Sequence, residues 1–377
     1  MPADRRIVLI NAVSAVFGGA ITVARSLTTA MARQRPSHRF VLFCSHPEVS
    51  AGPYPENVEC VELLALRSRL RRWWWEQTAL PREVRRRSAD VMLLLGGFAS
   101  FASSAPQVAV WQNATIFTPP LAGWPLALSA YIKLQRWVQG ISMRRVADNV
   151  FLTRDSIEKA SRCWSLEVIP HRFIYNGVDD QIVIADHQLP EEREQVALSI
   201  GHSYFHKNYQ NLIDGMACYR DHYGDSLSLE IVGGAFDKSY HASLERRIRD
   251  LGLEKIVRMT GPADRQQISQ KLSRARIYVV TSILETFGLT VLEAMGAGVP
   301  VVAASATCLP EICGEAAVLC DPYDPEDIAK KMHEVASDPD LQRDLQRRGF
   351  ERVKQFTWER SASGYIDALE EAMATSK

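Results

Sequence analysis

Two glutamates, Glu285 and Glu293, stand on either side of a glycine in the stretch Thr281 to Val302, TSILETFGLTVLEAMGAGVPVV. Leu289 to Ala297, bounded by Gly288 and Gly298, has the pattern of a helix, and the β-branched run Val299 to Ala303 suits a buried strand. Glu285 then precedes the helix and Glu293 lies inside it. A helix N-terminus behind a flexible turn presents backbone N–H groups and the positive end of the macrodipole, where a pyrophosphate is well placed. One turn in, the Glu293 carboxylate can accept hydrogen bonds from two neighbouring hydroxyls, as on a ribose, while Glu285 faces whatever the phosphate carries. Those positions describe a nucleotide sugar. Spacing alone leaves a plainer alternative open, two glutamates on solvated turns of an ordinary α/β protein.

Alternating strands and helices must hold these groups. In the first half, strands are expected at Ile7 to Ile10, Phe40 to Cys44, Val91 to Gly97, Val108 to Gln112 and Val150 to Thr153, with helices from about Ile21 to Arg33 and Leu126 to Val146. Tyr131 and Trp137, at roughly helical spacing in the latter, read as core. In the second half, strands Val196 to Ile200, Leu227 to Val232, Ile256 to Thr260 and Ile277 to Thr281 alternate with helices Gln210 to Tyr219, Ser239 to Leu251 and Ser269 to Ser273. That rhythm is α/β, two doubly wound parallel sheets, and ligands bind outside the carboxyl ends of such strands. Glu285 falls at that edge. So do Gly18 and Gly19 after the first strand, although a Gly-Gly pair more often only permits a tight turn, and Gln112 and Asn113 at another strand end. Ile116 to Trp124, with Pro119 and Pro120, reads as an extended loop of an acceptor mouth, and residues 180–195 as a linker between domains.

A chain of 377 residues, 46% hydrophobic, can bury two cores. Lys+Arg and Asp+Glu are equal at 44 each, so no global charge recommends nucleic acid. The seven cysteines include no Cys-x-x-Cys pair, which fits reduced cytosolic thiols and argues against a metal site. The uncharged run Ile7 to Ala24 is interrupted by Asn11, Ser14, Gly18, Gly19 and Thr22, and reads as a short strand and loop rather than a signal or membrane span. Arg67 to Arg87 is unusual, with eight arginines and three consecutive tryptophans against two glutamates. Cations beside interfacial aromatics suit an anionic membrane surface; nucleic acid is the competing partner, a solvated helix with its tryptophans tucked inward is the plainer reading, and Pro81 is expected to divide the segment.

Glu-Thr-Phe-Gly-Leu-Thr, then Val-Leu-Glu-Ala-Met and Gly-Val-Pro-Val-Val, resembles the signature of family 4 retaining glycosyltransferases (glycosyl transferase group 1), including the seven residues between the two glutamates. Thr286 departs from the family's usual Gly. The resemblance implies a GT-B fold, two Rossmann-like domains facing across a cleft. Residues 1–179 would bind the acceptor, joined by a returning helix at about 359–377, and residues 180–358 would bind the donor. It implies Glu285 and Lys207 as catalytic residues. The donor would be held by Gly201, His202, Lys207, Phe287, Gly288, Leu289, Thr290 and Glu293, with Gly18, Gly19, Gln112 and Asn113 as weaker donor or acceptor candidates. Gln112 replaces the histidine many relatives carry, which removes an acid or base. His202 stands where relatives place an arginine, and supplies charge only if its pKa is raised. The implied function is retaining transfer of a hexose from a nucleotide diphosphate sugar to a glycan or lipid-linked acceptor in bacterial surface polysaccharide or glycolipid assembly. The setting would be the cytoplasm, peripheral on the inner face of the membrane, without metal or cofactor and without nucleic acid. The alternative is a GT-B pseudoenzyme that binds nucleotide sugar or partners without transfer.

Overall fold

The computed structural model describes residues 5–113, 117, 126–179, 193–224 and 226–375. The expected loop Ile116 to Trp124, apart from residue 117, and the expected linker up to residue 192 lie outside the described residues. The chain forms two units, residues 1–177 with 356–377, and residues 178–355.

The first unit runs β1 (Ile7–Ala12), α1 (Gly18–Gln34), β2 (Arg39–Cys44), α2 (Pro47–Ser50), β3 (Val58–Glu62), α3 (Arg69–Arg87), β4 (Val91–Leu94), β5 (Gln107–Trp111), α4 (Leu126–Arg145), β6 (Asp148–Phe151), α5 (Arg154–Ser161) and β7 (His171–Phe173). Its seven strands are all parallel, in the order β3-β2-β1-β4-β5-β6-β7. Continuous apolar strands such as Val91–Leu94 follow from burial on both faces. One face is covered by α3, α4 and α5, whose Leu80, Val84, Met143 and Ala160 join Leu9, Phe43, Met92 and Trp111 in one core.

The second unit runs β8 (Glu194–Ile200), α6 (Tyr209–Tyr223), β9 (Ser228–Val232), α7 (Lys238–Asp250), β10 (Val257–Met259), α8 (Arg265–Arg274), β11 (Ala275–Val280), α9 (Leu289–Gly296), β12 (Val301–Ala304), α10 (Leu309–Cys313), β13 (Ala317–Cys320), α11 (Pro325–Ser337) and α12 (Pro339–Val353). Its six strands are parallel in the order β10-β9-β8-β11-β12-β13. One face is packed by α6, α7 and α11 through Leu212, Met216, Leu244, Ile328 and Met332. The chain closes with α13 (Trp358–Thr375), which belongs to the first unit and packs on α1.

Three local expectations need correcting. Pro81 does not divide the arginine-tryptophan segment, because α3 continues through it with Leu80, Pro81 and Val84 all buried. Packing against the sheet outweighs the one hydrogen bond that proline removes. Gly18 and Gly19 are not a loop ahead of the helix but its first residues, Gly18 taking φ +42°. Trp137 is not core. It is 66% exposed, on the side of α4 away from buried Ile132 and Met143.

Candidate functional site

In both sheets the strand order reverses once, between β1 and β4 and between β8 and β11, and such a point opens a crevice at the carboxyl edge. At the second of these, β8 ends at Ile200 and Gly201 begins the following loop. A side chain at Gly201 would stand 2.9 Å from the Lys207 Cε and the Tyr209 hydroxyl, and one at Gly233 would stand 2.0 Å from the Gly201 carbonyl. Glycine at both positions lets the ends of β8 and β9 close together. The Tyr209 hydroxyl donates to the Gly201 carbonyl at 2.9 Å, fixing the loop from below.

A short 3-10 turn, Phe205–Lys207, then leads to Asn208 in the left-handed region. The loop after β11 is laced to it. The Ile283 N–H donates to the His206 carbonyl at 2.9 Å, the Thr281 hydroxyl donates to the Lys207 carbonyl at 3.2 Å, and Asn208 Nδ2 donates to the Thr281 carbonyl at 3.1 Å. This lacing brings two distant residues together. Lys207 Nζ donates to Glu285 Oε1 at 2.5 Å, both side chains being 17% exposed. Burial pushes the Glu285 carboxyl up, but the charge and hydrogen bond of Lys207, with help from His206 and Ser282, hold it below the usual range. Glu285 is therefore an ionised carboxylate at neutral pH.

Immediately beyond, Gly288 precedes α9 at φ +85° and offers no side-chain cap, so the N–H groups of Leu289 and Thr290 open the helix. Phe287 is buried beside them. Glu293 sits in the second turn, buried, with its pKa pushed up to about 7 by burial; Arg265 opposes that rise and Asp179 adds to it. Arg265 Nη1 lies 3.6 Å from Glu293 and its Nη2 2.8 Å from Asp179. Nothing local in the sequence announces Arg265, whose partners are far away in the chain.

His202 does not replace the expected cation. Burial and the charge of Lys207 push its pKa down, and its Nδ1 accepts from the Gly234 N–H at 2.9 Å, so the neutral ring carries its proton on Nε2. His206, stacked on Tyr204, is pushed down to about 4 by burial and Lys207 against the pull of Glu285. Lys207, Arg265 and the opening of α9 are thus positive groups at this edge.

The first-unit candidates occupy the carboxyl edge of the other sheet. Gly18 and Gly19 start the helix after β1, while half-buried Gln112 and exposed Asn113 follow β5, with β4 between those two strands. Near them the buried Glu76 of α3 accepts from Asn11 Nδ2 at 2.9 Å. That pair was not anticipated, since Glu76 is one of two acids inside a basic run.

Residues 180–352 match the family described as Glycosyl transferases group 1. Over 112 residues the chain is 35% identical to the O-antigen chain mannosyltransferase B of Escherichia coli, a match covering 30% of this chain and 29% of that relative. The chain thus spans about a third or less of the length of the curated relatives it matches. Among solved structures, the sucrose-phosphate synthase of Thermosynechococcus elongatus superposes with a TM-score of 0.80 at 20% identity, covering 98% of this chain and 100% of that one. Anabaena HepE, solved in complex with UDP and glucose, gives 0.71 at 18% identity, covering 97% and 100%. The fold is accordingly GT-B, two parallel α/β sheets with their helices.

Proposed function

We propose that this protein is a retaining glycosyltransferase that moves a hexose from a nucleotide diphosphate sugar to a glycan or lipid-linked acceptor, without a metal. The observation that carries the reading is the Lys207–Glu285 pair at the strand-order reversal, next to the uncapped start of α9. Lys207 and the N–H groups of Leu289 and Thr290 take the charge that builds on the leaving diphosphate. Glu293 accepts from the ribose hydroxyls. Glu285, kept ionised, orients the hexose and faces the positive charge that develops at its anomeric carbon.

The bond from that carbon to the diphosphate oxygen breaks, the acceptor oxygen bonds to the same face, and the acceptor proton passes to the leaving phosphate. No side-chain base is required, which agrees with an amide at Gln112. The match of residues 180–352 to group 1 glycosyl transferases supports this reading, as does the likeness to a mannosyltransferase of O-antigen chains. A lipid-linked acceptor would be met at the inner face of the membrane; among the described residues no helix is long and apolar enough to cross one.

A thermal-shift screen of nucleotide sugars tests the donor half, because a ligand of the native state raises the melting temperature. The bound donor, offered with glycan or lipid acceptors, should yield product with the donor's own anomeric configuration, and chelator should leave the rate unchanged. Inverted product, or activity lost to chelator, would refute the mechanism. The neutral His202 favours one second reading, a GT-B protein that binds nucleotide sugar without transfer; turnover with any acceptor removes it.

A further inference from the structure

Helix α4 is apolar on two opposite sides. Ile132, Gln139 and Met143 are buried on the inner side, while Leu134, Trp137 and Ile141, spaced i, i+3, i+7, are 59%, 66% and 39% exposed on the outer one. Large apolar side chains grouped on one exposed helix side mark a surface that something covers. Helix α3, which buries its inner side in the same core, repeats the feature, with Leu70, Trp73 and Trp74 exposed at i, i+3, i+4. Among the described residues, the exposed tryptophans are all on these two helices.

Charge identifies the cover. Helix α4 contains Lys133, Arg136, Arg144 and Arg145 and no acidic residue, and α3 exposes Arg71, Arg82, Arg85 and Arg86. Acid on α3 is confined to buried Glu76 and to Glu83, which is paired with Arg86 and Arg87. The whole chain balances 44 basic against 44 acidic residues, so this concentration is local. A second copy of the chain would set cations against cations, and nucleic acid has no use for exposed Leu and Ile. An anionic lipid surface takes both parts, aromatic and aliphatic groups at headgroup depth and cations against the phosphates.

We propose that the outer sides of α3 and α4 form a single membrane-docking face, in which α4 inserts Leu134, Trp137 and Ile141 beside the tryptophans of α3. This deepens the reading above, resting on it only for the lipid-linked acceptor. The segment singled out by composition is then half of the face.

The test uses the full chain with vesicles of phosphatidylcholine alone or mixed with phosphatidylglycerol, read by co-sedimentation. The parent should bind the mixed vesicles at least tenfold more tightly than the neutral ones. Substituting Leu134→Ser, Trp137→Ser and Ile141→Ser together should weaken binding tenfold or more with an unchanged melting temperature. Substituting Arg144→Gln and Arg145→Gln should cost roughly fivefold for each cation at low salt, and carries the test should the triple variant melt early. Equal binding to both vesicle types, no binding, or α4 variants that bind like the parent would overturn the proposal. So would a parent dimer that the triple variant turns into a monomer, or tighter binding to RNA than to vesicles. Vesicle binding without sugar transfer keeps this face and removes the functional reading; transfer without vesicle binding does the reverse.

Discussion

The two units share a strand order and differ in what stands where that order reverses. In the second unit the reversal holds an ion pair of opposite charges, Lys207 and Glu285 at 2.5 Å, beside the uncapped N-terminus of α9. In the first unit it holds Asn11 and Glu76, a hydrogen-bonded pair whose carboxyl is pushed up to about 7 by burial, against the pull of Asn11 and Arg72. The outsides differ as well. Of the large hydrophobic side chains exposed among the described residues, nine lie in the first unit and four in the second, so the exposed apolar surface is concentrated on the first unit. One strand order thus carries two different exteriors: fixed charge, which the proposed function assigns to a diphosphate, in one unit, and an apolar, basic surface in the other.

The sharpest break in this comparison should come from the glycines. Gly233→Ala would place a methyl 2.0 Å from the Gly201 carbonyl, and should destabilise the second unit by about 3 kcal/mol or more in denaturant titration. Gly18→Ala meets nothing within 4 Å and carries only the strain of φ +42°, about 1 kcal/mol. Next, Lys207→Ala removes the cation at the reversal and leaves Glu285 buried without it. Turnover should fall about 100-fold or more, and nucleotide diphosphate binding should weaken in calorimetry.

A smaller effect is expected from pH. In the proposed function Glu293, with its pKa near 7, accepts from two ribose hydroxyls with both oxygens only when ionised, the protonated carboxyl giving up one acceptor for a donor, so donor affinity should rise as pH goes from 6 to 8. Glu293→Gln should flatten that rise, and an unchanged slope would remove Glu293 from the site. The smallest effect belongs to Glu76. Its folded pKa lies above the unfolded value, so the folded state holds more protons between about pH 4.5 and 7, and stability falls as pH rises through that window. Glu76→Gln, which keeps an acceptor for Asn11, should therefore add about 1–3 kcal/mol to the stability read by denaturant titration at pH 8, and change little at pH 4.

The strand and helix rhythm of both sheets was legible because strands covered on both faces must be continuously apolar, and helices between them periodic. The grouping of Gly288, Glu285 and Glu293 at the carboxyl edge of the second sheet was legible for a chemical reason: glycine before a helix and acids at fixed offsets are what the proposed phosphate and sugar would demand. Arg265 did not, since its contacts with Asp179 and Glu293 cross long stretches of chain that no local pattern joins. Trp137 was misread because periodicity says which residues share a helix side, not which side is inside, and α4 is apolar on two. His202 posed a question only the fold could answer, as its charge depends on burial and on the nearness of Lys207. Pro81 shows the same limit, a local breaker overruled by packing.

The central claim is that Glu285 acts on the sugar and not on the nucleotide. Single-turnover transfer and nucleotide diphosphate binding, measured side by side for Glu285→Gln, test it most directly. The account predicts a transfer rate lowered about 100-fold or more with nucleotide affinity within a few-fold of the parent. An equal loss in both, or transfer at the parental rate, would contradict it.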